Sequence, residues 1–232
     1  MTNLLVVYYS AYGHVFRMAE ACAAGAEAAG AAVRTVRIPE MESPNDRTPY
    51  LDKPNPGEAL SSLQRRFKTD ERFQKYEAAL AAQRDVPIAT NDDLRWADGV
   101  VWGFPTYYGM MPAQVKLFLE FAGEVSAEGA LEGKPAGVFT SAGSIHTGHE
   151  ATILTSIVPL LHFGMIFVGL PYSENPEFLT ADAIGGSPYG ASTLAGPDSS
   201  LTPDARELTI ASRLGGRVAN VADALKARGF ID

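Results

Sequence analysis

Three short stretches of this chain place hydroxyls, backbone donors or aromatic rings where an apolar run gives way to a helical pattern. The first is "SAYGHV", Ser10 to Val15, with a serine hydroxyl, Ala11, Tyr12, Gly13, His14 and the opening of a helix. Backbone N–H groups at a helix start point outward with the helix dipole behind them, which suits an anion such as phosphate. The stretch carries no Lys or Arg. It matches neither G-x-x-x-x-G-K-[ST] nor G-x-G-x-x-G, so a triphosphate loop and a dinucleotide fingerprint are both missing. Two readings stay open on these residues alone: a mononucleotide phosphate held by backbone and hydroxyl, or a tight turn with Gly13 present for packing.

The second stretch, "GFPTYYGMMPAQ" (103–114), brings Pro105, Thr106, Tyr107, Tyr108 and Gly109. A glycine lets backbone come close to a flat ligand, and Tyr107 or Tyr108 can stack on one; the alternative is that both tyrosines cap the core. The third, "TSAGSIHTGHE" (140–150), holds Ser141, Ala142, Gly143, Ser144, Ile145 and His146; its small residues, two glycines and two histidines suit wrapping a ring edge with N–H donors. Other chemistries find no support. There is no G-x-S-x-G elbow. His146 and His149-Glu150 lack an H-E-x-x-H frame and a cysteine to assist them, so no metal site is expected. The one cysteine, Cys22, falls on the apolar side of a helical pattern and reads as packing.

Positioning these stretches requires strands that end at them. "NLLVVYY" (3–9) is a continuous apolar run, the mark of a strand buried on both faces. Val15, Met18, Ala19, Cys22 and Ala26 then recur at helical spacing, with Gly30 as the stop. Further strands are expected at 33–38, 99–103, 136–141 and 164–170. Helices are expected from Pro112 (Val115, Phe118, Leu119 and Ala122 inward), through 150–163, and from a cap at Thr202-Pro203 onward. Strands alternating with helices imply a parallel sheet with right-handed crossovers. Five of them suit an α/β, doubly wound five-stranded parallel sheet of order 2-1-3-4-5 with helices on both faces, whose ligands sit at the carboxyl ends of the strands. One domain over 1–232 is expected, with a helical insertion around 43–85 and a long Gly/Pro-rich loop at 171–201.

Composition narrows the partners. The 232 residues carry a formal charge of −8 with scattered Lys and Arg, which argues against a nucleic-acid surface. No run approaches a membrane span or a signal peptide, and a single cysteine fits a reducing cytoplasm.

Taken together, "YYSAYGH", "PTYYGMMPAQVKLFL" and "FTSAGSIHTGHEATIL", with "LLHFGMIFVGLPY" and "GGSPYGASTLAG", closely resemble the WrbA family of flavodoxin-like NAD(P)H:quinone oxidoreductases. The likeness covers most of the chain outside roughly 43–85. It implies FMN as cofactor, NADH or NADPH as co-substrate, ping-pong hydride transfer to quinones through flavin N5, and a homotetramer. Carried across, Ser10 to Val15 would cradle the phosphate, with Tyr12 also at the nicotinamide entrance. Pro105 to Gly109 would line the isoalloxazine, and Ser141 to His146 would follow its polar edge. His162, from this or another subunit, and Tyr108 are the implied catalytic side chains. The chain departs from the family in three places: His162-Phe163 stands where relatives commonly have two histidines, Val125-Ser126 where they often place a tryptophan, and "SIHTGHE" is longer than the usual loop. A flavodoxin-type electron carrier and an FMN-binding regulatory protein are the competing readings.

Overall fold

The structure, a computed structural model, describes residues 1–40 and 70–231. β1 (Asn3–Tyr8) forms the middle of a parallel sheet because both of its faces are apolar. Leu4, Val6 and Tyr8 enter one core cluster, while Leu5, Val7 and the following Tyr9 enter the other. β2 (Ala32–Arg37) and β3 (Gly99–Pro105) pair with it on either side, β4 (Pro135–Ala142) pairs with β3, and β5 (Ile166–Phe167) with β4. The order β2-β1-β3-β4-β5 is the expected one.

On one face lie α1 (His14–Ala28) and the C-terminal helix, packed on Val101 and Phe139 through Val15, Met18, Cys22, Leu214 and Val218. The opposite face holds α2 (Asp70–Ala82), α3 (Asn91–Trp96), α4 (Ala113–Phe121), α5 (Gly123–Ala127) and α6 (His149–His162). These bury Tyr76, Leu94, Val115, Leu119, Val125, Ile153 and Leu160 against Trp102, Phe104 and Val138. α1 stops where expected. Gly30 adopts φ +88, and the Gly30 and Ala31 N–H groups bond back to Glu27 and Ala26, a Schellman closure.

The C-terminal third differs from expectation in three respects. The fifth strand is not continuous over 164–170: only Ile166–Phe167 pairs in the ladder, and the strand is interrupted. The expected loop 171–201 contains a further strand, β6 (Ala191–Leu194), which pairs in parallel with the second half of β4. A short 3₁₀ turn, Pro176–Phe178, lies between. The fifth position of the sheet is thus filled twice, by β5 at the start of β4 and by β6 at its end. Gly190 permits this approach, since a Cβ there would stand 2.1 Å from the Val138 carbonyl oxygen. Finally, α7 (Ala205–Ala227) is capped by Asp204 rather than by Thr202-Pro203. The Asp204 carboxylate accepts from Arg206 N–H at 2.8 Å, and the Glu207 carboxylate accepts from Asp204 N–H at 2.8 Å, a capping box.

Of the expected 43–85 insertion, α2 is described; Leu60, Leu63 and Phe67, which the sequence offers as apolar positions of a helix there, lie outside the described residues. No helix among the described residues is long and apolar enough to cross a membrane.

Candidate functional site

The carboxyl ends of β1, β3, β4 and β6 open on one cleft of about 480 Å³, within the size range of small-ligand sites. β1 delivers Ser10, Ala11, Tyr12, His14 and Val15; β3 delivers Pro105, Thr106, Tyr107 and Tyr108; β4 delivers Ser141, Ala142 and Gly143. β6 adds Ala195, Gly196, Pro197 and Ser199, and α2 adds Arg72.

At the β1 end the chain turns sharply into α1. Gly13 is the N-cap with φ +89, a left-handed conformation that L side chains rarely adopt. Ser10 Oγ accepts from Gly13 N–H at 3.1 Å and from Phe16 N–H at 3.2 Å. The N–H groups of His14 and Val15 belong to the first helical turn, which has no intrahelical acceptor for them. His14 itself is buried, and its Nε2 lies 2.6 Å from the Leu201 carbonyl oxygen. A carbonyl only accepts, so Nε2 carries the hydrogen, and the side chain ties the β1 turn to the loop after β6.

At the β3 end, Tyr107 and Met110 exchange N–H···O bonds of 3.0 and 3.1 Å around Tyr108 and Gly109. Both central residues have positive φ, +55 and +77. That is a type I′ turn, in which tyrosine is a costly choice. Tyr108 is fully exposed. Thr155 Oγ1 on α6 donates to the Gly109 carbonyl at 3.1 Å, and the Thr106 hydroxyl bonds that of Thr152, so the first half of α6 fixes the turn.

At the β4 end, Ser141 to Gly143 line the cleft, whereas Ser144, Ile145 and His146 fold away at the exposed rim. Thr147 Oγ1 accepts from Ser144 N–H at 2.9 Å, closing that small turn. His149 is buried behind it; its Nδ1 lies 3.1 Å from Ser192 Oγ on β6, and its ring also bonds the backbone of Ile145.

Burial pulls the pKa of His149 and of His14 below the ordinary histidine value. Both imidazoles are therefore held neutral, and the unfolded chain binds more protons than the folded one just below pH 6.5. The sign follows: unfolding free energy should hold steady above about pH 7 and fall as the pH drops below about 6.5. Urea unfolding of the wild type and of a His14→Gln/His149→Gln double variant at pH 7.5 and 5.5 checks this. An equal pH slope in both proteins would contradict it.

Not every sequence candidate enters the cleft. Gly13 and Gly109 shape its walls without lining it. His162 stands in the last turn of α6, exposed, some 13 residues and therefore about 20 Å along the helix from the end beside the cleft. Arg72 and the 195–199 loop went unnoticed in the sequence. The loop had a local signal, small residues and Gly-Pro after Thr193-Leu194 in "ASTLAGP". Arg72 had none, since "QRRFKTDERFQKY" reads as a solvated charged helix.

Fold and cleft define the class: a flavodoxin-like α/β protein with its site at the strand carboxyl ends. A solved structure, the WrbA-like flavodoxin from Agrobacterium tumefaciens, shares this fold with TM-score 0.60 over 97% of this chain and 99% of its own, at 23% identity. The family model for NADPH-dependent FMN reductase matches residues 5–177. An NAD(P)H dehydrogenase (quinone) from Paracoccus denitrificans (strain Pd 1222) is 42% identical over 98% of this chain and 97% of its own. One from Aromatoleum aromaticum (strain DSM 19018 / LMG 30748 / EbN1) is 40% identical over 95% of each. The chain belongs to the family of flavodoxin-like NAD(P)H dehydrogenases (quinone), within the NADPH-dependent FMN reductases.

Proposed function

We propose that this protein uses FMN, bound in the cleft, to carry two electrons from NADH or NADPH to quinones. The observation that carries the reading is the convergence of four strand-end loops on one cleft whose first turn is held open by a left-handed Gly13. The donor set fits FMN: neutral N–H groups and a serine hydroxyl at the phosphate end, and aromatic rings with small-residue backbone along the remainder. Held there by Ser10 to Val15 and Pro105 to Gly109, FMN would supply two-electron hydride chemistry at its N5, serving nicotinamide nucleotide and quinone in ping-pong order.

The chain's own residues orient and screen. Ser10 to Val15 hold the phosphate. Pro105 to Gly109 would line the ring, and Ser141 to Gly143, with Ser144, Ile145 and His146 at the rim, would follow its polar edge, where charge gathers on reduction; the Thr106, Tyr107 and Ser144 N–H groups are already engaged within the protein and hold these loops in shape. Tyr12 stands at the nicotinamide entrance. Tyr107 and Tyr108 give two flat substrates in turn a surface to stack on. Since His162 is remote from its own cleft, it serves, in this reading, the cleft of another copy, where it would deliver a proton to a quinone oxygen.

Assembly as a homotetramer goes with that reading. Leu154, Val158 and Leu161 form an exposed apolar stripe on α6 at spacings of four and three residues, and it ends beside His162. One such self-complementary contact closes a dimer, and a second closes a D2 tetramer; light scattering showing an active monomer at micromolar concentration would refute it. A cytoplasmic setting and the lack of direct nucleic-acid binding belong to the same reading, on the single cysteine and the net charge of −8.

The test is steady-state kinetics with FMN-loaded protein, NADH or NADPH and benzoquinone. Parallel double-reciprocal lines and inhibition by excess of either substrate are expected. Tyr108→Ala should raise KM for the quinone several-fold while leaving thermal stability unchanged, because a fully exposed ring contributes little to the core. No quinone-dependent oxidation by loaded protein would end the enzyme reading. Anaerobic reduction in two separate one-electron stages would favour the carrier instead.

A further inference from the structure

We propose that Arg72 is a phosphate-recognising residue of the cleft and that its ligand is the phosphomonoester of the bound flavin. The proposal rests on the FMN reading above and deepens it. Arg72 is the one Lys or Arg side chain among the described residues that lines the cleft.

Two ties bring it to the phosphate side of the cleft: its Nη2 reaches the Pro197 carbonyl, and the same loop is bonded to the β1 turn through His14 Nε2 at the Leu201 carbonyl. α2 runs against the β1 turn: Ala79 Cβ lies 3.8 Å from where a Cβ on Gly13 would be, and Gln83 Nε2 donates to the Ser10 carbonyl at 3.4 Å. Arg72, Tyr76, Ala79 and Gln83 follow at spacings of four, three and four residues, so they share one helix face. Tyr76 on that face is buried in the core. Arg72 is thus about 10 Å from Ala79 along the axis, two turns nearer the start of α2.

The guanidinium is also held in place. Its Nη2 donates to the Pro197 carbonyl at 3.0 Å, across the loop that follows β6. One turn on, Lys75 Nζ donates to the Asp198 carbonyl at 2.9 Å and pairs with Glu71, but it does not line the cleft. Two basic side chains therefore tie α2 to this loop, and one of them also faces the site.

The electrostatics call for such a cation. A phosphomonoester carries about −1.5 to −2 charges at pH 7. The β1 turn meets it with neutral donors alone, in a chain whose formal charge is −8. A guanidinium remains charged at any working pH, and its planar fork matches phosphate oxygens. Recognition of the nicotinamide nucleotide's phosphates would use the same chemistry, but the loop that Arg72 bonds is itself tied to His14 of the β1 turn, which favours the flavin phosphate.

Flavin fluorescence titration of apoprotein, with FMN and with riboflavin, separates these cases, because riboflavin lacks the phosphate. For Arg72→Gln, FMN affinity should fall about 10- to 100-fold with riboflavin affinity unchanged. The salt dependence of FMN binding should shrink as well. Arg72→Lys should recover part of the loss, and Lys75→Gln, which cuts the neighbouring contact to the same loop, should leave the FMN-to-riboflavin ratio at the wild-type value. Equal weakening of both flavins by Arg72→Gln would make the residue a loop tether and overturn the proposal. So would unchanged FMN binding, or an effect confined to the KM of NADPH. A wild-type protein that binds no flavin overturns the FMN reading itself, whereas normal wild-type binding with an indifferent Arg72→Gln overturns only the proposal.

Discussion

Replacing Gly13 by valine should leave a folded protein whose FMN affinity is at least about 100-fold weaker, a change of roughly 3 kcal/mol. A Cβ at Gly13 would itself fit, meeting its nearest neighbour, Ala79 Cβ, at an ordinary 3.8 Å. The obstacle is the backbone. Gly13 sits at φ +89 as the N-cap of α1, and a β-branched residue there is a steric outlier. Relief comes by rotating residue 13 to negative φ, which swings its N–H off Ser10 Oγ and turns the following peptides away from the cleft. The phosphate then loses both its aligned donors and the end-on approach to the helix dipole. Gly13→Ala should show the same sign with a smaller loss. Flavin titration of the apoprotein reads the effect, and circular dichroism verifies that α1 still forms. A valine variant with wild-type FMN affinity would show that this turn does not hold the phosphate.

That turn was legible in the sequence because its signal is local: an apolar run, a serine, a glycine and the onset of helical spacing within a dozen residues. The strand order was legible for the same reason. β1, β3 and β4 are apolar on both faces, and runs such as "NLLVVYY" and "GVVWGF" have few other readings in a chain of this kind. β6 was not legible, because it is polar where a buried strand should be apolar. Ser192 and Thr193 are fully buried, one facing His149 and the other Glu207. Each polar side chain is satisfied by a partner 43 or 14 residues distant, and no periodicity announces that. The start of α7 has a local signal, the capping box Asp204-x-x-Glu207, but Thr202-Pro203 just before it offers a competing cap and first turn. Arg72 escaped because a helix from the insertion delivers it to a cleft built by β1, β3, β4 and β6.

Replacing Glu207 by alanine should be the most destabilising single change in the C-terminal third, lowering stability by about 3–5 kcal/mol. The carboxylate is 2% exposed and accepts four hydrogen bonds. Oε1 takes the N–H groups of Gly185 at 2.7 Å and Leu194 at 3.1 Å, and Oε2 takes the Thr193 hydroxyl at 2.6 Å and the Asp204 N–H at 2.8 Å. Alanine leaves three backbone N–H groups and a hydroxyl without their acceptor, and each buried unsatisfied group costs about 1–3 kcal/mol before water or local rearrangement recovers part of it. The melting temperature should fall by roughly 10 °C for a domain of this size. Glutamine should be intermediate for a specific reason. Its carbonyl can still serve Gly185 and Leu194, but its NH₂ then faces the Asp204 N–H donor to donor, and only the Thr193 hydroxyl can turn to accept. The damage should also reach the site, because the four donors come from the segment before β6, from β6 itself and from the cap of α7. They hold in place the strand that leads into the cleft-lining 195–199 loop. FMN affinity should therefore weaken in the order alanine, glutamine, wild type, with riboflavin affinity weakening in step, unlike the phosphate-selective loss expected at Arg72. Alanine and glutamine variants that both melt within about 2 °C of the wild type would mean that β6 is held by its ladder to β4 alone.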